Sequence, residues 1–236
     1  EFRVFGRFHA AHNRARYEEL ARTLEREPFG LSSGGWVVPR SAQHGEVATS
    51  AYHGGIVYPR HAALHPARLH AGMLARVREA DARVLGHCAV RDLRRERGYW
   101  VLDTEGGRVQ AREVVIATNG YTGTFSPWHR RRVIPIGSYV IATEEVEPEL
   151  IRSLIPLGRV ITDTRKVVYY YRPSPDGRRI IFGGRVSLGE TNPQRSGRRL
   201  HADMVALFPE LRRVRVSHSW VGFVGYTFDT LANIGS

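Results

Sequence analysis

The run Tyr169-Tyr170-Tyr171-Arg172 places three phenols and a guanidinium in consecutive positions. On a strand, Tyr169 and Tyr171 share one face, and Tyr170 and Arg172 share the other. A guanidinium grips a carboxylate through two parallel N–H bonds. Arg172 carries such a fork, as does Arg185 in the next apolar run. Sheet packing plus a surface arginine accounts for the same residue types.

Other reactive residue types point to less. His53, His61 and His65 cluster in the sequence and His218 stands near Trp220, but they lack the carboxylates and the restrained spacing that converging metal ligands need. They read as surface or hydrogen-bonded groups. Cys88 is the only cysteine, so neither an intramolecular disulfide nor a cysteine-based zinc site is available within this sequence. It reads as a small buried apolar residue. The stretch Val114–Gly123, VVIATNGYTG, rises through β-branched residues into small ones and a glycine. That pattern predicts a buried strand over 113–117 whose end opens onto a turn, with Gly120 free to take a positive φ.

These groups need a scaffold, and 236 residues with 42% hydrophobic content suffice for one large domain or two small ones. No apolar run is long enough to span a membrane, and the first residues have no signal-peptide pattern. A reducing, cytoplasmic setting is the default expectation. Glu1 in place of an initiator Met suits a processed chain or a piece of a longer one. The formal charge of +12 is carried almost wholly by arginine, with Lys166 the one lysine. It is scattered and lacks the aromatic interleaving of a single-strand binder, so it reads as a solvated surface and not as a nucleic-acid site.

Helical spacing appears over 17–27, with Leu20 and Leu24 on one face, and again from Pro66, where Leu69, Met73 and Val77 are expected to face a sheet. Pro66 suits a first helical turn. Residues 36–38 and 82–90 read as strands. A strand, a Glu-Gly-Gly turn and a second strand follow from Tyr99. Beyond Trp128, VIPIGSYVIAT, KVVYYYRP and RIIFGGRVS are strands, with PSPDGRR as a hairpin turn. One helix carries Leu200, Met204 and Leu207 or Phe208 on its apolar face. The second part thus predicts a mostly antiparallel sheet with one covering helix.

The order of GRFHAAHN, YHGGIVYPRHAALHPARLHAGML, ARVLGHCAV, REVVIATNGYT, YYYRPSPDGRRIIFGGR and HSWVGFVGYTFDTLANIG resembles the middle of the D-amino-acid oxidase superfamily. That group includes glycine oxidase, sarcosine oxidase and gamma-glutamylputrescine oxidase, and the last branch is the nearest in pattern. The resemblance implies an α/β plus α+β fold: a partial FAD-binding, Rossmann-like domain with a β-meander, and a mostly antiparallel substrate domain. The implied layout is 1–62 on the substrate side, 63–127 in the FAD-binding domain, 128–218 in the substrate domain, and 219–236 returning to the FAD-binding domain. It further implies FAD along Ala117, Thr118, Asn119 and Gly120, with the backbone of Val90 against the adenine. Substrate would lie near Arg172, Arg185, Tyr52 and Tyr226, the two tyrosines each standing beside a glycine turn in a matching stretch. No catalytic side chain is singled out.

The family opens with a strand, a G-x-G-x-x-G turn and a helix that receive the FAD pyrophosphate. Here Gly34-Gly35, Gly54-Gly55 and Gly183-Gly184 have the wrong spacing. The sequence therefore reads as an internal portion of an FAD-dependent oxidoreductase acting on the C–N bond of a small-molecule amine or amino acid. The alternative is a non-catalytic fragment or binding module of the same fold that cannot hold FAD.

Overall fold

The computed structural model describes residues 2–28, 30–187 and 192–235, with the side chains of 185–187 set aside. The chain divides into two units. The first comprises 1–70, 138–186 and 191–221, and the second 71–137, 187–190 and 222–236.

In chain order the strands are β1 (Phe2–Arg3), β2 (Arg7–Ala10), β3 (Trp36–Pro39), β4 (Gly54–Tyr58), β5 (Ala63–Leu64), β6 (Val90–Glu96), β7 (Tyr99–Thr104), β8 (Gly107–Ala111), β9 (Ile134–Thr143), β10 (Val160–Asp163), β11 (Tyr170–Pro173), β12 (Ile180–Ser187) and β13 (Val216–Tyr226). The helices are α1 (Arg14–Glu25), α2 (Pro66–Glu79), α3 (Pro127–Arg130), α4 (Pro148–Leu154) and α5 (Pro193–Leu207).

An eight-stranded sheet of order β13-β9-β12-β11-β10-β2-β4-β3 forms the body of the first unit. It is mixed: β10 runs parallel to β2, whereas β2–β4, β3–β4, β10–β11 and β11–β12 are antiparallel. Phe8, Ile161, Tyr171 and Phe182 project to one face and join Leu200, Met204 and Phe208 in a continuous buried core. Tyr171 stacks on Phe182, with ring centroids 5.3 Å apart, and meets Phe208 edge-on at 5.6 Å. The cover is α5, which begins after Asn192, whose side chain accepts the Arg195 N–H at 3.0 Å. Its residues Leu200, Met204 and Leu207 are buried at helical spacing. Near the other edge of the sheet, α1 starts at Asn13, whose Oδ1 accepts the Arg16 N–H at 2.9 Å, and its Tyr17 and Leu24 approach Gly54 and Gly35.

The hairpin predicted at PSPDGRR is present. The Ser174 N–H donates to the Arg179 carbonyl at 2.8 Å, and Gly177 takes the turn with φ +70°. The small ribbon β1–β5 is antiparallel.

The second unit holds a three-stranded antiparallel meander, β6-β7-β8. Three expectations fail here. Residues 82–89 are not a strand, and pairing begins only at Val90. Leu69, Met73 and Val77 line up along α2 as predicted but are exposed, Met73 at 60%. Residues 113–117 form neither a strand nor a backbone hydrogen bond among the described residues, and Val115 is 89% exposed. An apolar run becomes a buried strand only where neighbouring strands accept its N–H and C=O groups; none of the described strands lies beside this one.

Candidate functional site: the polar face of the large sheet

The sheet face opposite the buried core carries most of the sheet's polar side chains beside a few apolar ones such as Ile56, and its order follows from strand register. Ile56 pairs with His9, His9 with Thr162, Thr162 with Tyr170, and Tyr170 with Gly183. These residues on adjacent strands therefore share one row and one face. The His9 Nδ1 and Thr162 Oγ1 share a hydrogen bond of 2.9 Å. The Tyr170 hydroxyl shares one of 2.6 Å with Ser138 Oγ on β9. Between those two strands lies Gly183, where a Cβ would run into the Tyr170 ring. Glycine at that position lets the phenol lie flat across β12 and reach Ser138.

Two residues along, the next row on this face contains Arg7 opposite Tyr58 and Val160. Arg172 continues it, because Ile161 faces Tyr171 in the antiparallel β10–β11 pair. Arg172 Nη2 donates to the Leu64 carbonyl at 2.9 Å. It also lines a cavity of about 370 Å³ together with Arg3, Leu64, His65, Ile151 and Ser174. The alternation read from YYYR thus holds: Tyr171 goes to the core while Tyr170 and Arg172 occupy the polar face.

The strand carrying Tyr170 and Arg172 is tied down by a buried carboxylate that the sequence did not flag. Asp163 Oδ1 accepts the N–H of Arg165 at 3.2 Å and of Tyr169 at 3.1 Å, and Oδ2 pairs with the Arg165 guanidinium. The Asp163 N–H donates to the Tyr169 carbonyl at 3.0 Å. Burial pulls the Arg165 guanidinium pKa down, but Asp163 and Tyr52 raise it by more, so the net shift is upward. These bonds fix the β10–β11 connection and hence the register of β11. A slip of one residue would exchange its two faces. His9 is held toward its neutral form, first by burial and then by the Arg7 charge, against weaker opposing pulls from Asp163 and Thr162.

The remaining sequence candidates are distributed as follows. Tyr52 is fully buried in the core and accepts a hydrogen bond from the Tyr171 hydroxyl at 3.2 Å. Burial raises its pKa above the usual phenol range, with Asp163 adding to the effect. Tyr226 ends β13, 43% exposed. Arg185 lies in β12, its side chain outside the described residues. Val90 begins β6, half-buried, opposite Thr104. The Cys88 thiol donates to Thr104 Oγ1 at 3.2 Å. His61 stacks on Tyr58 at 5.1 Å, His65 Nδ1 accepts the Arg68 N–H at 3.4 Å, and His218 Nδ1 shares a hydrogen bond with Ser217 Oγ.

Within the second unit, ATNGYT is arranged differently from expectation. The positive φ belongs to Asn119, at 50°, and not to Gly120. Asn119 Oδ1 accepts the Gly225 N–H at 2.7 Å, and the Tyr121 hydroxyl accepts the Phe223 N–H at 3.0 Å. Gly120 is required for a close approach, since a Cβ there would press on Phe223 and Val224. Asn119, Gly120 and Tyr121 therefore clamp the end of β13. Residues 113–117 just before them have no regular structure, with Ala117 exposed, and Thr118 is right-handed helical. Among the described residues the backbone of 113–117 makes no hydrogen bond, and backbone groups beside a small side chain such as Ala117 are what a nucleotide's polar edge can approach.

The glycine oxidase of Geobacillus kaustophilus superposes with a TM-score of 0.81 at 19% identity, over 99% of this chain and 62% of that one. The family model for FAD dependent oxidoreductases, DAO, matches residues 1–236, and the chain belongs to that family. Among curated proteins, the chain is 32% identical over 183 residues to the probable oxidoreductase OrdL of Rhizobium meliloti, covering 77% of this chain and 42% of that protein. It is 30% identical over 191 residues to the gamma-glutamylputrescine oxidoreductase of Escherichia coli, covering 80% and 44% respectively. The chain thus spans less than half the length of these curated relatives. FAD is the cofactor of the family.

Proposed function

We propose that the protein containing this chain oxidises a C–N bond of a small amine or amino acid with FAD, and that the polar face of the large sheet is its substrate side. The observation that carries this reading is the Tyr170–Ser138 pair laid over Gly183, with Arg172 on the same face. Support comes from the family and from two similar proteins whose names specify glycine and gamma-glutamylputrescine as substrates.

When bound, FAD supplies the acceptor for the hydride equivalent that leaves the carbon next to nitrogen. The chain's contribution is positioning. Ala117 and Thr118, with the Val90 backbone, are the residues assigned to hold the cofactor; Asn119 and Gly120 shape that segment by clamping β13. Tyr170 offers an aromatic wall and a hydroxyl. Arg172 is assigned to a substrate carboxylate, with Arg185 as a second candidate. Tyr226 remains a candidate wall residue, while Tyr52 acts from the core by receiving the Tyr171 hydroxyl. The product imine then hydrolyses to an aldehyde or oxo acid.

The test is anaerobic. The purified protein, as the cell makes it, is mixed with a panel of amines and amino acids, and the flavin absorbance is followed. Bleaching by at least one amine, restored by oxygen or an artificial electron acceptor, is expected. A flavin that no C–N substrate bleaches contradicts the reading.

A further inference from the structure

The row that carries Tyr170 also carries an imidazole with one nitrogen open. His9 stands on β2, two strands from Tyr170 across β10, which is about 10 Å at ordinary strand spacing. Its Nδ1 is held by Thr162 Oγ1 at 2.9 Å. Its Nε2 has no hydrogen-bond partner among the described residues, and it is not sealed from solvent as the Arg7 Nε is. His12 differs: its Nδ1 meets Thr164 Oγ1 at 2.8 Å and its Nε2 meets Asn13 Nδ2 at 3.0 Å. His9 also lines a cavity of about 360 Å³, together with Leu20 of α1 and Val168.

The charges around His9 act in one direction. Arg7 is rooted on the same face of β2. From α1 come Arg16 and Glu19, paired with one another, and from the end of β10 come Asp163 and Arg165, also paired. β4 brings the apolar Ile56. Arg7 is thus the charge left unbalanced among the described residues. Burial first and Arg7 second hold the imidazole toward its neutral form, against weaker pulls from Asp163 and Thr162. A neutral ring that gives its Nδ1 proton to Thr162 keeps its lone pair on Nε2, which makes that atom an acceptor. The same positive charge disfavours an ammonium ion and favours a free amine. The free amine is the form that is oxidised, because its nitrogen lone pair drives the hydride equivalent off the neighbouring carbon.

We propose that His9 Nε2 accepts an N–H of the substrate's free amine and so leaves the nitrogen lone pair available for oxidation. A protonated His9 donates to that lone pair and blocks it. The proposal rests on the polar face being the substrate side. Two measurements on the protein as the cell makes it test the contact. Diethyl pyrocarbonate, which attacks a neutral imidazole at an open nitrogen, is applied across the acid and neutral range, and modified histidines are located by mass spectrometry. His9 is expected to be modified, with a midpoint below the ordinary histidine value of about 6.5. Anaerobic flavin bleaching is then followed over the same range with the amine that bleaches it best in the panel above. In wild type the second-order bleaching constant should fall about ten-fold per pH unit above that midpoint, where only the amine takes up a proton. It should fall about a hundred-fold per unit below the midpoint, where His9 does so as well. His9→Gln, which keeps a polar group near Nε2 but does not titrate, shows the one-proton slope throughout. His9→Asn keeps a partner for Thr162 but loses the acceptor, and lowers the constant about ten-fold above the midpoint.

A His9 that is never modified overturns the proposal, as does a wild-type slope that does not steepen at the modification midpoint. A slope that steepens equally in His9→Gln also overturns it. If His9→Gln fails to fold, His9→Asn decides by the same slope. Those results sink the contact and leave amine oxidation standing. A flavin that no amine bleaches, with His9 still modified, sinks the oxidase reading and the contact with it.

Discussion

The large sheet of the first unit and residues 113–117 of the second start from similar sequence. VITD and IIFGG are short runs of β-branched and small residues, and so is VVIATNG. In the first unit such runs are paired on both sides and their apolar faces are fully buried. In the second unit residues 113–117 form no strand, and Val115 is exposed. The difference teaches that burial of a strand is a property of its neighbours. β-propensity supplies a side-chain pattern that can be buried, and ladder partners decide whether it is.

That contrast is broken most severely by a core truncation. Tyr171→Ala removes a ring stacked on Phe182 and edge-on to Phe208, and should cost about 3–5 kcal/mol in denaturant unfolding. Val115→Ala, in the exposed segment, should change stability by less than about 0.5 kcal/mol. Comparable losses at the two sites would mean that 113–117 is packed in solution.

Gly183→Ala is expected to act next most strongly, by about 1–3 kcal/mol, because the new methyl group collides with the Tyr170 ring. It should also break the Tyr170–Ser138 hydrogen bond and reduce turnover more than Tyr170→Phe, which loses the hydroxyl but keeps the ring in place. Asn119→Ala should cost about 1 kcal/mol locally by leaving the Gly225 N–H without its acceptor. Faster hydrogen exchange at Gly225, with the amides of β11 unchanged, is the expected signature.

A pH titration sharpens the comparison from the core side. Burial raises the folded-state pKa of both Tyr52 and Tyr171 above the ordinary phenol value of about 10. A raised pKa means that the folded state holds the proton more tightly than the unfolded chain. The associated stability is fully present below about pH 10 and is lost as pH rises through the higher folded values. Absorbance near the phenolate band should therefore show a late, cooperative step from Tyr52 and Tyr171 that coincides with unfolding.

Much of the scaffold was legible from sequence because its signals are local. Pro66 and the four-residue spacing after it mark α2, Leu200, Met204 and Leu207 mark α5, and the Pro-Asp-Gly turn marks the β11–β12 hairpin. The alternation in YYYR placed Tyr170 and Arg172 on one face without any knowledge of what that face meets. The rest depends on pairing between distant segments. His9 and Thr162 are neighbours only because β2 and β10 run parallel, more than a hundred and fifty residues apart in sequence. A four-residue strand such as RFHA carries too few periods to announce itself. Asp163 gave a weak signal, a carboxylate at the end of an alternating run. Its role follows from the Arg165 and Tyr169 N–H groups that converge on it. Gly120 was read as a source of backbone freedom, whereas what its position requires is room for β13.

The central claim is that the polar sheet face orients the substrate. The most direct test compares an amino-acid substrate with the corresponding amine lacking the carboxylate, in wild type and Arg172→Ala. A bidentate carboxylate contact predicts that the variant raises KM for the amino acid by roughly ten-fold or more while the plain amine changes little. An equal rise for both substrates, or none for either, would contradict the assignment of this face.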